Sequence, residues 1–415
     1  MRFRRLLPFV AVAVLATPLA RAADLFDITA KTTDGSGLTI VSGNHSVIDL
    51  TQQLINNTGS FSALSGHSYN ASLSYGGVQN ALLYEVTQGT QYTAHLTTPF
   101  DRGVIDRTFV ANSQDALNTE IKNYLKTDGA SDLAKFLADI NKKSPAGVLD
   151  GNPHSVTALN AQQSFFQYAF EPTLTEDEDN SGQSSDSTSR SGFALNAEGG
   201  EFDSKGIKGE TYSVSPMVPF KLSDRVRLEI TVPLEYTRIE GASEFGAGLQ
   251  FAVPILLVKH TKQQPWTWQL TPLTGVLASG SADLLAGGLM ANGGLASYAS
   301  YHWHKWEFAM GNAVLIYHGV KVSIGDYTFD PDVSQQIFKT GFKVGRQLGH
   351  HWYAELYAID TEFAEAAFIP RYATVGGGVG YRGAKKKGFI MLGAYTDLAP
   401  GYSSAKLQFG TGWKF

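Results

Sequence analysis

Residues 403–415 read Ser-Ser-Ala-Lys-Leu-Gln-Phe-Gly-Thr-Gly-Trp-Lys-Phe, and this stretch decides the fold. Counted back by twos, one set is Phe415, Trp413, Thr411, Phe409, Leu407 and Ala405. The other is Lys414, Gly412, Gly410, Gln408, Lys406 and Ser404. A β-strand sends successive side chains to opposite faces, so this segment has one greasy face and one polar or glycine face. A strand between lipid and a polar barrel interior requires that pattern.

The alternation recurs upstream. Val226, Leu228, Ile230, Val232, Leu234 and Tyr236 interleave with Arg225, Arg227, Glu229, Thr231, Pro233 and Glu235. Leu249 to Leu257, Phe338 to Val344, Trp352 to Ala358 and Ala373 to Tyr381 behave likewise. About twelve such segments follow one another with no helical run between them, each long enough for a tilted bilayer crossing. Their connections read as alternating short and long. Ser223-Asp224, His304, Gly349-His350 and residues 384–387 are tight, whereas 239–243, 279–291, 319–335 and 362–369 are longer. Short turns on one side and long loops on the other characterise outer-membrane barrels. Trp266, Trp268, Trp303, Trp306, Trp352, Trp413, Tyr236 and Tyr372 fall near strand ends, where an interfacial girdle belongs.

Composition excludes other classes. The chain has 415 residues, 43% hydrophobic and 17% charged, with 43 glycines and no cysteine. That hydrophobic fraction argues against disorder as the main state. Without cysteine there is no disulfide framework, lipoprotein anchor or thiolate metal site. A net charge of −5 gives no electrostatic reason to expect nucleic acid as a partner. At the N-terminus, Arg2, Arg4 and Arg5 precede an apolar run from Leu6 and then Ala20-Arg21-Ala22. This reads as a signal peptide over residues 1–22, hence Sec-type export.

These features together resemble Gram-negative outer-membrane β-barrel proteins. The barrel portion resembles autotransporter translocator domains, in particular solitary autotransporter-like barrels without a large passenger. The resemblance implies that Phe409, Trp413 and Phe415 form the C-terminal signal read by the barrel-assembly machinery. It implies outer-membrane lipid as the surrounding partner. A helix threading the pore ahead of the first strand is part of that family's pattern. Here the residues just before strand one are rich in Ser, Gly and Asp, which is poor helix material.

The expected fold is mainly β: an antiparallel transmembrane barrel of about twelve strands over 191–415, behind a small N-terminal α+β soluble domain over 23–160. In that domain, 81–87, 91–97 and 104–110 read as a meander. Two amphipathic helices follow, the first ended by Gly129 in a left-handed cap, and 144–160 reads as a loop. Residues 161–190, acidic and Ser-rich toward the end, form a linker or plug segment. Strand parity puts the domain on the periplasmic side unless the chain passes back through the lumen.

No catalytic site, metal site or cofactor is expected. Histidines are scattered, and His350-His351 is a poor chelate because neighbours on a strand face opposite ways. His302 and Ser300 share a face, but Ser297 has the opposite parity. Parity places Arg225, Arg227, Glu229, Glu235, Lys305, Glu307, Lys339, Lys343, Glu355, Arg382 and Lys406 in the lumen, together with Glu198 and Lys414. Ions facing lipid would cost about 2–4 kcal/mol each at the midplane. Three functions follow: a non-enzymatic autotransporter-like barrel carrying a short N-terminal domain, a narrow solute pore of the outer membrane, and an outer-membrane lipid or peptide hydrolase.

Overall fold

The computed structural model describes residues 24–99, 105–126, 129–170, 192–261, 263–281, 283–284, 286–324, 327–329, 333–349, 351–382 and 388–414. The segment expected to be a signal peptide, most of the expected linker, His350 and Phe415 lie outside these residues.

The N-terminal part is a six-stranded antiparallel sheet. Its strands are β1 (Phe26–Thr32), β2 (Thr39–Asn44), β3 (Tyr69–Tyr75), β4 (Val78–Gln88), β5 (Tyr92–Thr97) and β6 (Asp106–Ala111), ordered β2-β1-β3-β4-β5-β6. Phe26, Ile28 and Ala30 alternate with more exposed residues, as do Tyr69, Ala71, Leu73 and Tyr75, so one face is apolar and buried. Helices α1 (Val47–Ile55), α2 (Gln114–Lys126) and α3 (Ala130–Lys143) contribute Leu50, Leu54, Ile121, Phe136 and Ile140 to that core. Helix α1 starts at Ser46, whose hydroxyl accepts from the Asp49 amide and caps it. Gly129 corrects another expectation: it is right-handed, at φ −84°, and begins α3 instead of closing α2 in a left-handed cap.

The C-terminal part is a closed barrel of twelve antiparallel strands. They are β7 (Gly192–Ser204), β8 (Ile207–Lys221), β9 (Arg227–Thr231 continuing as Leu234–Ile239), β10 (Ala242–Ala252 continuing as Ile255–Val258), β11 (Trp266–Ser281), β12 (Ala286–Trp303), β13 (Trp306–Val320), β14 (Ser334–Gln347), β15 (Trp352–Phe363), β16 (Arg371–Arg382), β17 (Gly388–Ala399) and β18 (Tyr402–Lys414). Prolines 233 and 254 interrupt β9 and β10, since proline cannot donate to a ladder. The barrel closes where β18 pairs with β7, from Tyr402 opposite Ser204 to Lys414 opposite Gly192. Outward-facing Val214, Val218, Leu249, Phe251, Ile316, Phe342, Leu356, Leu392 and Leu407 are all exposed. Such a continuous apolar exterior is untenable in water and suits lipid.

Gly192 and Lys414 mark one rim, called the near rim here. All six tryptophans stand at it, on Trp266, Trp268, Trp303, Trp306, Trp352 and Trp413. Tyr372 is different: it is buried and points inward. The far rim carries the N-terminal domain. Tyr75 donates its hydroxyl to the Leu284 carbonyl, and the Val47 amide donates to the Asp283 carbonyl.

The expected length asymmetry between the two sets of connections is weaker than the sequence suggested. Three far-rim connections are two residues long: Lys205-Gly206, Glu240-Gly241 and Pro400-Gly401. Lys205, Gly206, Glu240 and Gly241 all have positive φ, as a tight hairpin matched to strand twist requires. Only 321–333 and 364–370 are long on that side, and the first contains a small hairpin, Val322–Ile324 with Tyr327–Phe329.

The one-sided girdle makes a prediction. In proteoliposomes, lipids brominated close to the headgroup should quench tryptophan emission more strongly than lipids brominated at the chain end. Stronger quenching from the chain end would contradict this placement.

Candidate functional site

The most unusual local structure is the segment that fills the barrel. Helix α4 (Val156–Phe165) starts where the Ser155 hydroxyl accepts from the Ala158 amide, at 3.4 Å. It takes over the last residues of the loop expected over 144–160, of which 144–155 are irregular and turn. It continues as a π-helical turn, Phe166–Phe170. Every residue from Val156 to Phe170 is buried.

The burying surface is the inner barrel wall. Asn160 Oδ1 accepts from Asn292 Nδ2 at 3.1 Å and from the Tyr317 hydroxyl at 2.9 Å. The Ser215 hydroxyl donates to Gln163 Oε1 at 2.5 Å, and Gln250 Nε2 donates to the Ser164 hydroxyl at 3.0 Å. Gln167 Nε2 donates to Thr231 Oγ1 at 2.9 Å. These partners sit on β8, β9, β10, β12 and β13, so the helix is held from several sides. It runs from the far rim inward. The last turn seats in a notch made by two glycines. A Cβ at Gly311 would lie 2.4 Å from the Ala169 carbonyl oxygen, and one at Gly341 would lie 2.4 Å from the Phe170 ring. Lys343 Nζ donates to the Phe170 carbonyl at 2.5 Å and so caps the end of the segment. Phe166 packs edge-on to Tyr357, with ring centroids 5.4 Å apart.

Around this plug the wall carries paired charges. Lys406 Nζ lies 3.3 Å from Asp397 Oδ2, and Thr374 and Ser404 donate to the same carboxylate. Lys343 Nζ is 3.5 Å from Glu355 Oε2. Lys339 donates to Thr361 at 2.7 Å and to Tyr372 at 3.3 Å. Tyr298 donates to Glu307, and Tyr395 donates to Glu198 at 2.7 Å. Buried ions are tolerated best when paired and hydrogen-bonded; Lys406 with Asp397 and Lys343 with Glu355 meet that condition, whereas Lys339 is held by hydroxyls alone.

Of the residues expected in the lumen, Arg227, Glu229, Glu235, Lys339, Lys343, Glu355 and Lys406 are buried inside, and Glu307 faces inward beside Tyr298. Arg225 and Lys305 stand in near-rim turns, exposed, because the strands start later than the periodicity suggested. Arg382 is exposed at the near mouth, its guanidinium 5.0 Å above the Tyr353 ring. Phe409 is half-buried and Trp413 exposed, both on the outer face. Asp397 and Glu244 are buried lumenal acids that the sequence reading passed over, although their strand parity marked them.

Among the described residues the one Ser–His contact in reach is Ser300 Oγ to His302 Nε2, at 3.2 Å. Glu307 is the cross-strand partner of His302 but takes the Tyr298 hydroxyl instead. A hydrolase needs an acid orienting the base and donors for an oxyanion, and neither accompanies this pair among the described residues. No group of three or more His, Asp or Glu suited to a metal occurs among the described residues.

The chain enters the barrel through a compact turn at the far rim. Asp150 accepts from Thr157 and Gln335 there, and the Ile369 amide donates to the Gly151 carbonyl. His154 is fully buried, stacked parallel on Phe202 with ring centroids 4.1 Å apart. Burial and the positive charge of Lys406 hold its pKa down at about 3. Burial pushes the Asp150 carboxyl up to about 6.

The class that follows is a membrane-spanning β-barrel of the outer-membrane type with an occupied lumen. Comparison with solved structures finds similar folds. The translocator domain of the autotransporter NalP from Neisseria meningitidis matches with a TM-score of 0.39 and 9% identity, over 54% of this chain and 88% of that one. The β domain of the Bordetella autotransporter BrkA matches at 0.39 and 11%, over 55% and 100%. An outer-membrane channel from Pseudomonas putida F1 matches at 0.40 and 11%, over 54% and 95%. No protein-family model and no curated protein matches the sequence.

Two predictions follow from the filled lumen. Gly341→Leu should unseat Phe170 and make residues 144–170 cleavable by added protease in the detergent-folded protein; continued protection would show that the notch does not hold the turn. His154 is neutral when folded, so the folded state loses stability as pH falls below 6.5 toward 3, while Asp150 opposes this below pH 6. His154→Phe keeps the stack and should remove a loss on the order of 2 kcal/mol between pH 7 and 4.5. An unchanged difference between the unfolding midpoints at the two pH values would refute the role given to His154.

Proposed function

We propose that this protein is a non-enzymatic, autotransporter-like barrel of the outer membrane of a Gram-negative bacterium, displaying its short N-terminal domain at the cell surface. The observation that carries the reading is the path of the chain. The domain sits at the far rim, α4 descends through the lumen, and the first strand starts at the near rim beside the last strand's end. In an outer-membrane barrel with an even strand number, the rim holding both strand ends faces the periplasm. The far rim, with the domain, then faces outward. This is the case in which the chain passes back through the lumen, so the periplasmic exit suggested by parity does not apply. The helix threading the pore lies upstream of the Ser-rich stretch, which is why the residues next to strand one gave no sign of it.

In this reading Phe409, Trp413 and Phe415 serve as the assembly signal for the barrel-assembly machinery, and membrane lipid covers the apolar exterior. A solute pore is the poorer account, because polar side chains of α4 occupy the path that a solute would take.

Epitope tags test the topology. A tag beside Asp34 in the domain and one at Glu365 on the far rim should both be reached on intact cells, whereas one at Asp224 should need permeabilisation. A domain tag hidden on intact cells, with Glu365 visible, would refute surface display. In planar bilayers the full chain should hold almost no current, and deletion of residues 24–170 should open a steady conductance. A large open current from the intact chain would favour the pore.

A further inference from the structure

The rim that carries the tryptophans also carries cations with no acids to match them. Arg225, Lys259, Lys305 and Arg346 are exposed there, in near-rim turns or at strand ends, and none makes an ion pair among the described residues. The one exposed acid in these turns and strand ends, among the described residues, is Asp224, and Lys221 Nζ holds it at 2.8 Å. The far rim differs. Arg371 grips Asp360 with two hydrogen bonds, at 2.8 and 2.9 Å, and Arg238 stands directly across from Glu210.

The tryptophans fix the depth of these cations. Trp303, Trp306 and Arg346 are direct cross-strand neighbours on β12, β13 and β14. Trp306 shares its face with exposed Phe308, and Arg346 shares its face with exposed Phe342 and Val344, so the row faces the bilayer. The Arg346 guanidinium lies 4.8 Å from the Trp306 ring centroid. In the turn, the Lys305 carbonyl accepts from the Gln347 amide at 2.8 Å, which keeps its backbone beside Arg346. Indole rings settle at the headgroup level, and a guanidinium at that level meets lipid phosphate, which its fork of donors fits.

We infer that the near rim binds anionic glycerophospholipids, with Arg346 and Lys305 receiving the phosphate of one headgroup and Trp303 and Trp306 packing along its glycerol and upper chains. The surplus of cations favours a headgroup with net negative charge over a zwitterionic one. An acidic protein would have to displace the headgroup layer to reach Arg346. The inference rests on the membrane-spanning barrel and not on surface display, so vesicles with the same lipid in both leaflets test it whichever way the barrel points.

All six tryptophans lie at this rim, so quenching of their emission by brominated lipid samples the near rim alone. The full chain is folded into phosphatidylcholine vesicles that contain brominated phosphatidylglycerol or, in parallel, brominated phosphatidylcholine. Phosphatidylglycerol should be favoured about fivefold at low salt, the factor that one cation near an anionic surface supplies. The preference should fall toward parity in about 0.5 M sodium chloride. Arg346→Gln combined with Lys305→Gln should remove about half of the preference or more, with the thermal midpoint unchanged because both side chains are exposed. Arg371→Gln at the far rim should leave the preference intact. Equal affinity for the two lipids overturns the inference. An unchanged preference in the double variant does so too, as does an equal loss in Arg371→Gln. Capture of soluble polyglutamate without any lipid preference would assign the rim to an acidic protein instead.

Discussion

A sheet inside a bilayer cannot have an edge. Each unpaired amide or carbonyl facing lipid would cost several kcal/mol, and water is absent to satisfy it. The pairing of Tyr402–Lys414 with Gly192–Ser204 removes both edges at once. Closure then fixes much of the remaining architecture. It forces side chains into two populations, and the apolar set must face outward. The other set, with Lys339, Lys406, Asp397 and Glu355, has nowhere to go except the lumen. A lumen lined with polar groups must in turn hold water or partners. Here it holds a polar helix.

That sequence of constraints explains which features were legible in the amino-acid sequence. Period-two alternation identified the barrel, because each strand has lipid on one side and a polar interior on the other. The same contrast is missing around α4. Its wall is polar on nearly every side, so Asn160, Gln163, Ser164 and Gln167 find partners all round and no apolar stripe develops. Helical periodicity is a signal of one-sided burial. A helix buried on all sides by a polar wall does not produce it, and a reading based on stripes passes over it. The available clues were Ser155 as a cap and a run free of glycine and proline from Ser155 to Phe170.

Turn chemistry sets the connections at the far rim. Glu240-Gly241 and Lys205-Gly206 are two-residue hairpins with both residues at positive φ, a conformation that favours glycine in the second place. Read as part of a longer loop, 239–243 supported an asymmetry between rims that the structure has only in part. Strand ends are poorly marked in the sequence for a related reason. Alternation persists a residue or two into the turns, so Arg225 and Lys305 kept lumenal parity although they stand in water. Residue type at a strand end says little about which side of the last hydrogen bond the residue falls on.

The two rims solve different problems. The near rim is anchored by side chains: six indole rings sit at the interface, where an apolar ring and a polar N–H are both satisfied. The far rim has no tryptophan and is built largely of short turns. Short turns leave the barrel mouth uncovered, yet Phe202, Ile239, Tyr317, Tyr402 and Phe363 are buried there. What covers them is the N-terminal domain with its entry turn, through His154 on Phe202, Tyr75 on Leu284 and Gly151 on Ile369. The domain therefore does at this rim what long loops do in other barrels. Its removal would expose a ring of apolar and aromatic side chains together with the polar lumen. Domain, helix and barrel are on this account one folding problem, in which the sheet closes the barrel's sides and the chain ahead of it closes the top.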